Sequence, residues 1–234
     1  MSPSLPSRVL RRLRAYNDPL PLEDFEGYDG YWDERERSED TGTVLPRWRI
    51  AAEKIPDGSS VLDVGCGSGG FLRYLLSQKP NCKVRGTDIS DHAVELAAKS
   101  GLDTFQSDLT QEKLDREYDY ITGFEMIEHV HEAEKVLVVM RDATRKLLIL
   151  SLPNTGYIEH RVRLAVFGRF PNTQIKFHAK EHIRFWTGKD FRDWTAHFGL
   201  RVVEVQGQWG LRGMPWRSRP ELFSPQVVYT LERV

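Results

Sequence analysis

Residues 60–70 read Ser-Val-Leu-Asp-Val-Gly-Cys-Gly-Ser-Gly-Gly, and Phe-Leu-Arg-Tyr-Leu-Leu-Ser-Gln follows to residue 78. A short apolar strand runs into a glycine loop, and the loop empties into a segment with the apolar spacing of a helix. Glycines let the chain turn sharply and let a ligand press against bare backbone at the helix N-terminus. Gly65, Gly67 and Gly70 also satisfy the pattern G-x-G-x-x-G, a weak signal that by itself does not choose among cofactors.

Asp63 helps to choose. It stands just before Gly65, beside the loop. A dinucleotide would bring an anionic pyrophosphate there, and a carboxylate would repel it. S-adenosylmethionine brings no phosphate, and its methionyl end carries an ammonium and a sulfonium, which an acid attracts. Two further acids follow at expected strand ends. Asp88 can accept both ribose hydroxyls. Asp108 can accept the adenine amine, with Ile89 or Leu109 against the ring. Taken singly, Asp88 reads equally as a helix cap and Asp108 as a turn residue.

Working outward, the alternation repeats. Lys83–Asp88, 103–106, Tyr118–Thr122 and Lys146–Leu150 read as strands, and 92–100 and 132–144 as helices. A helix is expected over Pro46–Lys54 and another over Gly188–His197. Strands alternating with helices at this spacing predict a doubly wound α/β sheet, mostly parallel. Leu200–Val205 and 225–231 are separated by a loop without helical period, so these last strands are expected to pair antiparallel.

The run VLDVGCGSGG, then GTDIS, QSDL and YDYITGFEMIEHV, resembles the motif series of class I S-adenosylmethionine-dependent methyltransferases. That resemblance implies a Rossmann-like seven-stranded sheet with an antiparallel last strand. It implies a cofactor site in which Gly65, Cys66, Gly67 and Gly69 line the methionyl part and Asp63 faces it. Asp88 would hold the ribose, Asp108 the adenine with Ile89 and Leu109, and Phe124 would open the segment beside the methyl group. Residues 1–45 are then an N-terminal extension or cap, and 46–234 the methyltransferase domain, with a substrate-side insertion at about 153–187.

Glu125, Glu128 and His129 have i, i+3, i+4 spacing and would share one face of a helical turn. Two carboxylates and an imidazole have metal-ligand character. The run is similar to the E-x-x-E-H of ubiquinone-biosynthesis O-methyltransferases and small-RNA 2′-O-methyltransferases. That similarity implies a divalent cation, magnesium, manganese or zinc, completed by His182 or His178. Alternatively His129 acts alone as a general base.

The acceptor is expected among residues rich in histidine, arginine and aromatics: Tyr31, Asn154, Arg163, His178 and His182. That composition suits an anionic acceptor such as a phosphate, carboxylate or nucleotide-sugar, and the aromatic N-terminal extension with HIRFWTGKDF resembles methyltransferases of surface-glycan or lipid pathways, which implies a small-molecule, glycan or lipid-linked acceptor. Residues 151–171 also resemble MetW-type proteins. That implies an alternative, a protein that binds and regulates a partner enzyme such as a homoserine acyltransferase. A dinucleotide oxidoreductase is disfavoured by Asp63. Trp209, Leu211 and Trp216 are candidates for a homodimer surface.

Composition bounds the rest. The chain has 234 residues, 40% hydrophobic, with net charge −1 and two cysteines, Cys66 and Cys82. The balanced charge predicts no nucleic-acid partner. Unspaced cysteines exclude a zinc finger or disulfide framework and predict a reduced, cytoplasmic setting. Residues 1–20 lack the apolar core of a signal peptide, and no transmembrane segment is expected. Arg8, Arg11, Arg12 and Arg14 among Val9, Leu10 and Leu13 read as a solvated helical face or a surface for a membrane or partner.

Overall fold

The computed structural model describes residues 16–21, 43–172, 175, 181–210 and 213–234. Tyr31, His178, Leu211 and the basic segment 8–14 lie outside the described residues.

Seven strands form one sheet: β1 (Ser60–Val64), β2 (Lys83–Asp88), β3 (Thr104–Gln106), β4 (Tyr118–Phe124), β5 (Thr144–Pro153), β6 (Leu200–Gly207) and β7 (Gln226–Arg233). Their order is β3-β2-β1-β4-β5-β7-β6. The first five pair parallel, and β7 inserts antiparallel between β5 and β6. The last chain element is thus the reversed one, as the sequence led us to expect.

Helices cover both faces, and the strand pleat explains why. Successive side chains of a strand point to opposite faces, so a sheet covered twice must be apolar on both. Val61 and Tyr120 pack on one face with Ala51 of α1 (Pro46–Lys54) and Phe71, Leu72 and Leu75 of α2 (Gly70–Gln78). Ala97 of α3 (Asp91–Lys99) joins them. Leu62 and Ile121, one residue on, pack on the other face. There they meet Leu137 and Met140 of α4 (Ala133–Ala143) and Phe191 of α6 (Gly188–His197). Burying each large apolar side chain stabilises this arrangement by about 1.5–3 kcal/mol.

Local chemistry sets the helix starts. Ser90 accepts a hydrogen bond from the Ala93 amide and caps α3, and Thr187 with Asp190 forms a capping box on α6. Two helices were not foreseen, α5 (Ile158–Phe167) and the short α7 (Pro220–Phe223). The residues α5 buries are His160 and Arg163, so its sequence shows no apolar stripe at helical spacing. Strands β4 and β5 also run past their expected ends, because Gly123 and Phe124 continue to pair with Leu150 and Ser151.

The strand order reverses direction between β1 and β4. Ligands of open α/β sheets bind outside the carboxyl ends of strands at such a switch point. The glycine loop after β1 and the acidic segment after β4 both end there.

Candidate functional site

The glycine loop is fixed from below. The amides of Gly65 and Cys66 both donate to the Thr87 carbonyl of β2, at 2.8 and 3.0 Å. Asp88 Oδ2 accepts from the Gly67 amide and Oδ1 from the Ser90 amide, each at 3.0 Å. Gly69 sits at φ 80°, a left-handed conformation, and a Cβ there would meet Leu102 Cδ1 at 2.3 Å. No side chain caps α2 at this point, so its first amides face the loop. At Gly65 a Cβ would stand 3.0 Å from the Met126 side chain. The cofactor loop and the segment after β4 therefore abut.

Two acids lie buried under this loop. Asp63 is 2% exposed and accepts from the Thr122 hydroxyl at 2.6 Å. Burial pushes its carboxyl up to about 7, the Thr122 bond opposes this, and the Asp88 charge adds to it. Arg47 of α1 acts in the opposite sense on the same carboxyl. That buried arginine, whose Nη1 reaches Gln208 Oε1 at 3.5 Å, is a candidate the sequence reading missed. Its only signal was a basic residue at the start of a helix expected to precede β1. Cys66 points its thiol beneath the loop, where a Cβ on Gly86 would meet the sulfur at 2.8 Å, and burial raises its pKa.

The residues expected on the adenine side divide. Ile89 is 52% exposed and offers open apolar surface beside Asp88, whereas Leu109 is buried in the core. Asp108 Oδ1 holds a turn, accepting from the Thr110 amide and hydroxyl at 2.9 and 2.7 Å. Phe124 lies edge-on to Phe71 of α2, with ring centroids 4.8 Å apart.

After β4 the expected shared face breaks. Glu125 adopts φ 51°, the one left-handed non-glycine residue among those described. Only Ile127–His129 forms a helical turn, a single 3₁₀ turn. The Glu125 carboxylate consequently turns to Ser151 Oγ (2.7 Å), Gln226 Nε2 (2.5 Å) and Gln208 Nε2 (3.4 Å). Glu128, His129 and His182 come together instead, each offering a ligand atom within 4.8 Å of the others. Glu125 is outside that group, which corrects the expectation that it joins the set.

A distant segment delivers His182. The Ile183 and Arg184 amides both donate to the Glu128 carbonyl, at 3.0 and 3.1 Å. His129 Nδ1 lies 2.6 Å from the Glu181 carbonyl, an atom that can only accept. Nδ1 therefore carries a proton, which makes Nε2 the basic nitrogen of the neutral ring. The His182 ring meets that of His129 edge-on at 4.7 Å. Burial first, and then His129, push His182 down to about 3, so it is neutral at physiological pH.

Two residues expected to hold the acceptor are occupied otherwise. Asn154 Nδ2 donates to the carbonyls of Glu221 and Ser224, and its Oδ1 accepts from Gly156. The Arg163 guanidinium donates to the carbonyls of Phe170, Tyr16 and Asp18. Both are buried, and they fasten loops to α5 and β7 rather than lining an open cleft.

A family model described as a methyltransferase domain matches residues 34–205. The chain is 30% identical over 166 residues to the bifunctional methionine biosynthesis protein MetXA/MetW of Rhodopirellula baltica, covering 65% of this chain and 26% of that protein. It is 26% identical over 215 residues to a ubiquinone biosynthesis O-methyltransferase of Xylella fastidiosa, covering 82% and 81%. The first curated relatives are longer proteins, of which the chain spans 24%, 26% and 32%. A TehB-like S-adenosylmethionine-dependent methyltransferase from Corynebacterium glutamicum superposes with a TM-score of 0.59 at 16% identity, over 88% of this chain and 96% of that one.

Proposed function

The chain belongs to the class I S-adenosylmethionine-dependent methyltransferases, and from that premise we propose that it transfers a methyl group to a hydroxyl of a small-molecule, glycan or lipid-linked acceptor. The observation that carries the cofactor reading is the pair of buried acids, Asp63 and Asp88, under a glycine loop at the switch point. Two buried, mutually interacting carboxylates favour a cationic ligand and oppose a pyrophosphate. In this reading Asp63 faces the ammonium, Asp88 adds ribose hydroxyls to the amides it already holds, and Arg47 takes the ligand's carboxylate. Ile89 lies against the adenine, and Asp108 Oδ2 receives its amine.

The reacting end falls to the segment after β4. The acceptor oxygen attacks the methyl carbon as the carbon–sulfur bond breaks, and that electron pair stays on sulfur. The hydroxyl proton must leave in the same event. In this reading His129 Nε2 takes it, with the ring oriented by the Nδ1–Glu181 bond. Glu128 Oε1, 3.8 Å from Nε2, stabilises the imidazolium that forms.

A second reading rests on the close group of Glu128, His129 and His182. A carboxylate and two imidazoles, one held neutral by burial, are a donor set that magnesium, manganese or zinc accepts. An ion held there would lower the pKa of the acceptor hydroxyl. Activity that falls with EDTA and returns with one added divalent ion supports this version. Full activity after exhaustive chelation leaves His129 as the base.

The similarity to MetXA/MetW supports a further role in binding and regulating a partner enzyme. The intact acid series favours cofactor turnover as the primary one. Calorimetric titration with S-adenosylmethionine and with NAD separates the cofactors, and binding of the first alone is expected. Binding of NAD alone would remove the methyltransferase reading.

A further inference from the structure

The chain changes sheet faces just after β4. Phe124 packs on the face covered by α1 and α2, whereas Ile127 is buried in the core of the other face. Glu125 stands at the start of that crossing, with its φ of 51°. A left-handed residue that carries a side chain is strained, and such strain persists only where the surroundings hold it. Backbone and side chain both hold it here. The Glu125 amide donates to the Ser151 carbonyl at 2.9 Å, and its carboxylate accepts from Ser151 Oγ, Gln226 Nε2 and Gln208 Nε2.

These anchors belong to the sheet. Ser151 lies in β5, Gln226 opens β7 opposite Pro153, and the Gln208 amide donates to the Gln226 carbonyl at 3.1 Å. All three side chains are buried. On the opposite face Ile127 is 1% exposed, so the crossing is pinned from both sides. It leads directly into the turn Ile127–His129, where the His129 amide donates to the Met126 carbonyl at 3.1 Å. The place of the imidazole therefore follows from the path of the chain at 125–126. Gln226 Oε1 is buried without a hydrogen-bond partner among the described residues. A buried acceptor left so costs stability, and the residue keeps it while its Nε2 serves Glu125.

We propose that Glu125 is a positioning residue: its carboxylate, tied to Ser151 and Gln226, holds the left-handed crossing that sets the His129 ring against the Glu181 carbonyl. The consequence for catalysis rests on the reading of His129 as base, whereas the tie itself does not. The role is one of shape rather than charge, which separates it from a carboxylate that ligates a metal or takes a proton. An amide of the same length can fill it. In Glu125→Gln the new nitrogen faces Gln226, which turns its unpartnered Oε1 to meet it.

The tautomer of His129 reads the place of its ring, without any acceptor. Long-range proton–nitrogen correlation spectra distinguish a proton on Nδ1 from one on Nε2. They are recorded at about pH 8, where an ordinary imidazole is neutral, with EDTA present so that no ion takes Nε2. His129→Ala identifies the signal. The wild-type ring is expected in a single Nδ1–H form. Gln226→Glu sets two carboxylates against each other, and Glu125→Gly keeps the φ without strain but removes the tie. Both should convert the single form to a mixture of tautomers. Glu125→Gln should keep it, and Glu125→Gln added to Gln226→Glu should restore it, because donor and acceptor are then exchanged. A cooperative melting transition and retained S-adenosylmethionine binding show that each variant is folded. If Gln226→Glu does not fold, Glu125→Gly carries the test. An unchanged Nδ1–H signal in Glu125→Gly or in folded Gln226→Glu overturns the proposal, and so does its loss in Glu125→Gln. If the tie variants scramble the tautomer while His129→Ala retains full turnover, the base reading fails and the tie stands.

Discussion

The two halves of the site are built differently. On the proposed cofactor side, the acids come from strand ends or from the residues just after them, with Arg47 of α1 the one group from elsewhere, and backbone amides hold Asp88. On the acceptor side, Glu128 and His129 meet His182 from a segment some fifty residues away, through bonds to the Glu128 carbonyl and the Glu181 carbonyl. The first is a local device that the strand order places automatically. The second exists only once the tertiary fold is complete. Binding and turnover should therefore separate cleanly under mutation.

The largest separation is expected at His129. Replacement by Ala should lower turnover on the true acceptor by about 10²–10⁴-fold, the usual contribution of a general base. S-adenosylmethionine affinity measured by calorimetry should stay nearly unchanged. A parallel loss of affinity would mean that the two halves are one.

Asp88→Ala should do the reverse. Loss of charge-assisted hydrogen bonds to the ribose, and of the Gly67 tether, should weaken cofactor binding by about 10- to 100-fold. Turnover at saturating cofactor should change far less. Unchanged affinity would remove Asp88 from the site.

Asn154→Ala sharpens the comparison from outside it. The substitution leaves the Glu221 and Ser224 carbonyls and the Gly156 amide without the side chain that satisfies them. Stability in denaturant titrations should fall by about 1–3 kcal/mol, with cofactor affinity unaltered. A selective rise in the acceptor's KM, without loss of stability, would restore Asn154 as a substrate residue. A smaller effect is expected at Arg47, where replacement by Ala should weaken cofactor binding by about fivefold through loss of one charged hydrogen bond. No change there would place Arg47 outside the site.

These contrasts also explain what was legible in the sequence. The glycine loop, Asp63 and Asp88 could be read because a strand, a turn and an acid at fixed spacing determine their own geometry. Glu125 could not, since the expectation of a shared helical face assumed right-handed backbone, and its φ of 51° turns the carboxylate toward Ser151 and Gln226. Asn154 and Arg163 were chosen by residue type. Residue type does not reveal that backbone carbonyls take both Nδ2 hydrogens of Asn154 and a donor from each of the three guanidinium nitrogens of Arg163. Arg47 was overlooked for the converse reason: its reach toward Asp63 depends on how α1 packs against the sheet, and no local pattern records that.

Asp63 offers the most direct test of the central claim, that the cradle is an anionic seat for a cationic cofactor. Its carboxyl sits at about 7 in the folded chain, above its ordinary 3.8. A raised acid favours the fold below the unfolded value, and that contribution is lost as pH climbs through 7. The cofactor-free protein should therefore lose stability across this window, and a bound cation should restore it. The deciding measurement is calorimetry of S-adenosylmethionine binding at about pH 6 and about pH 8 in buffers of different ionisation enthalpy. Affinity should rise by about tenfold between them, with a proton released at the lower pH. Equal affinity at both, with no buffer dependence, would contradict the account.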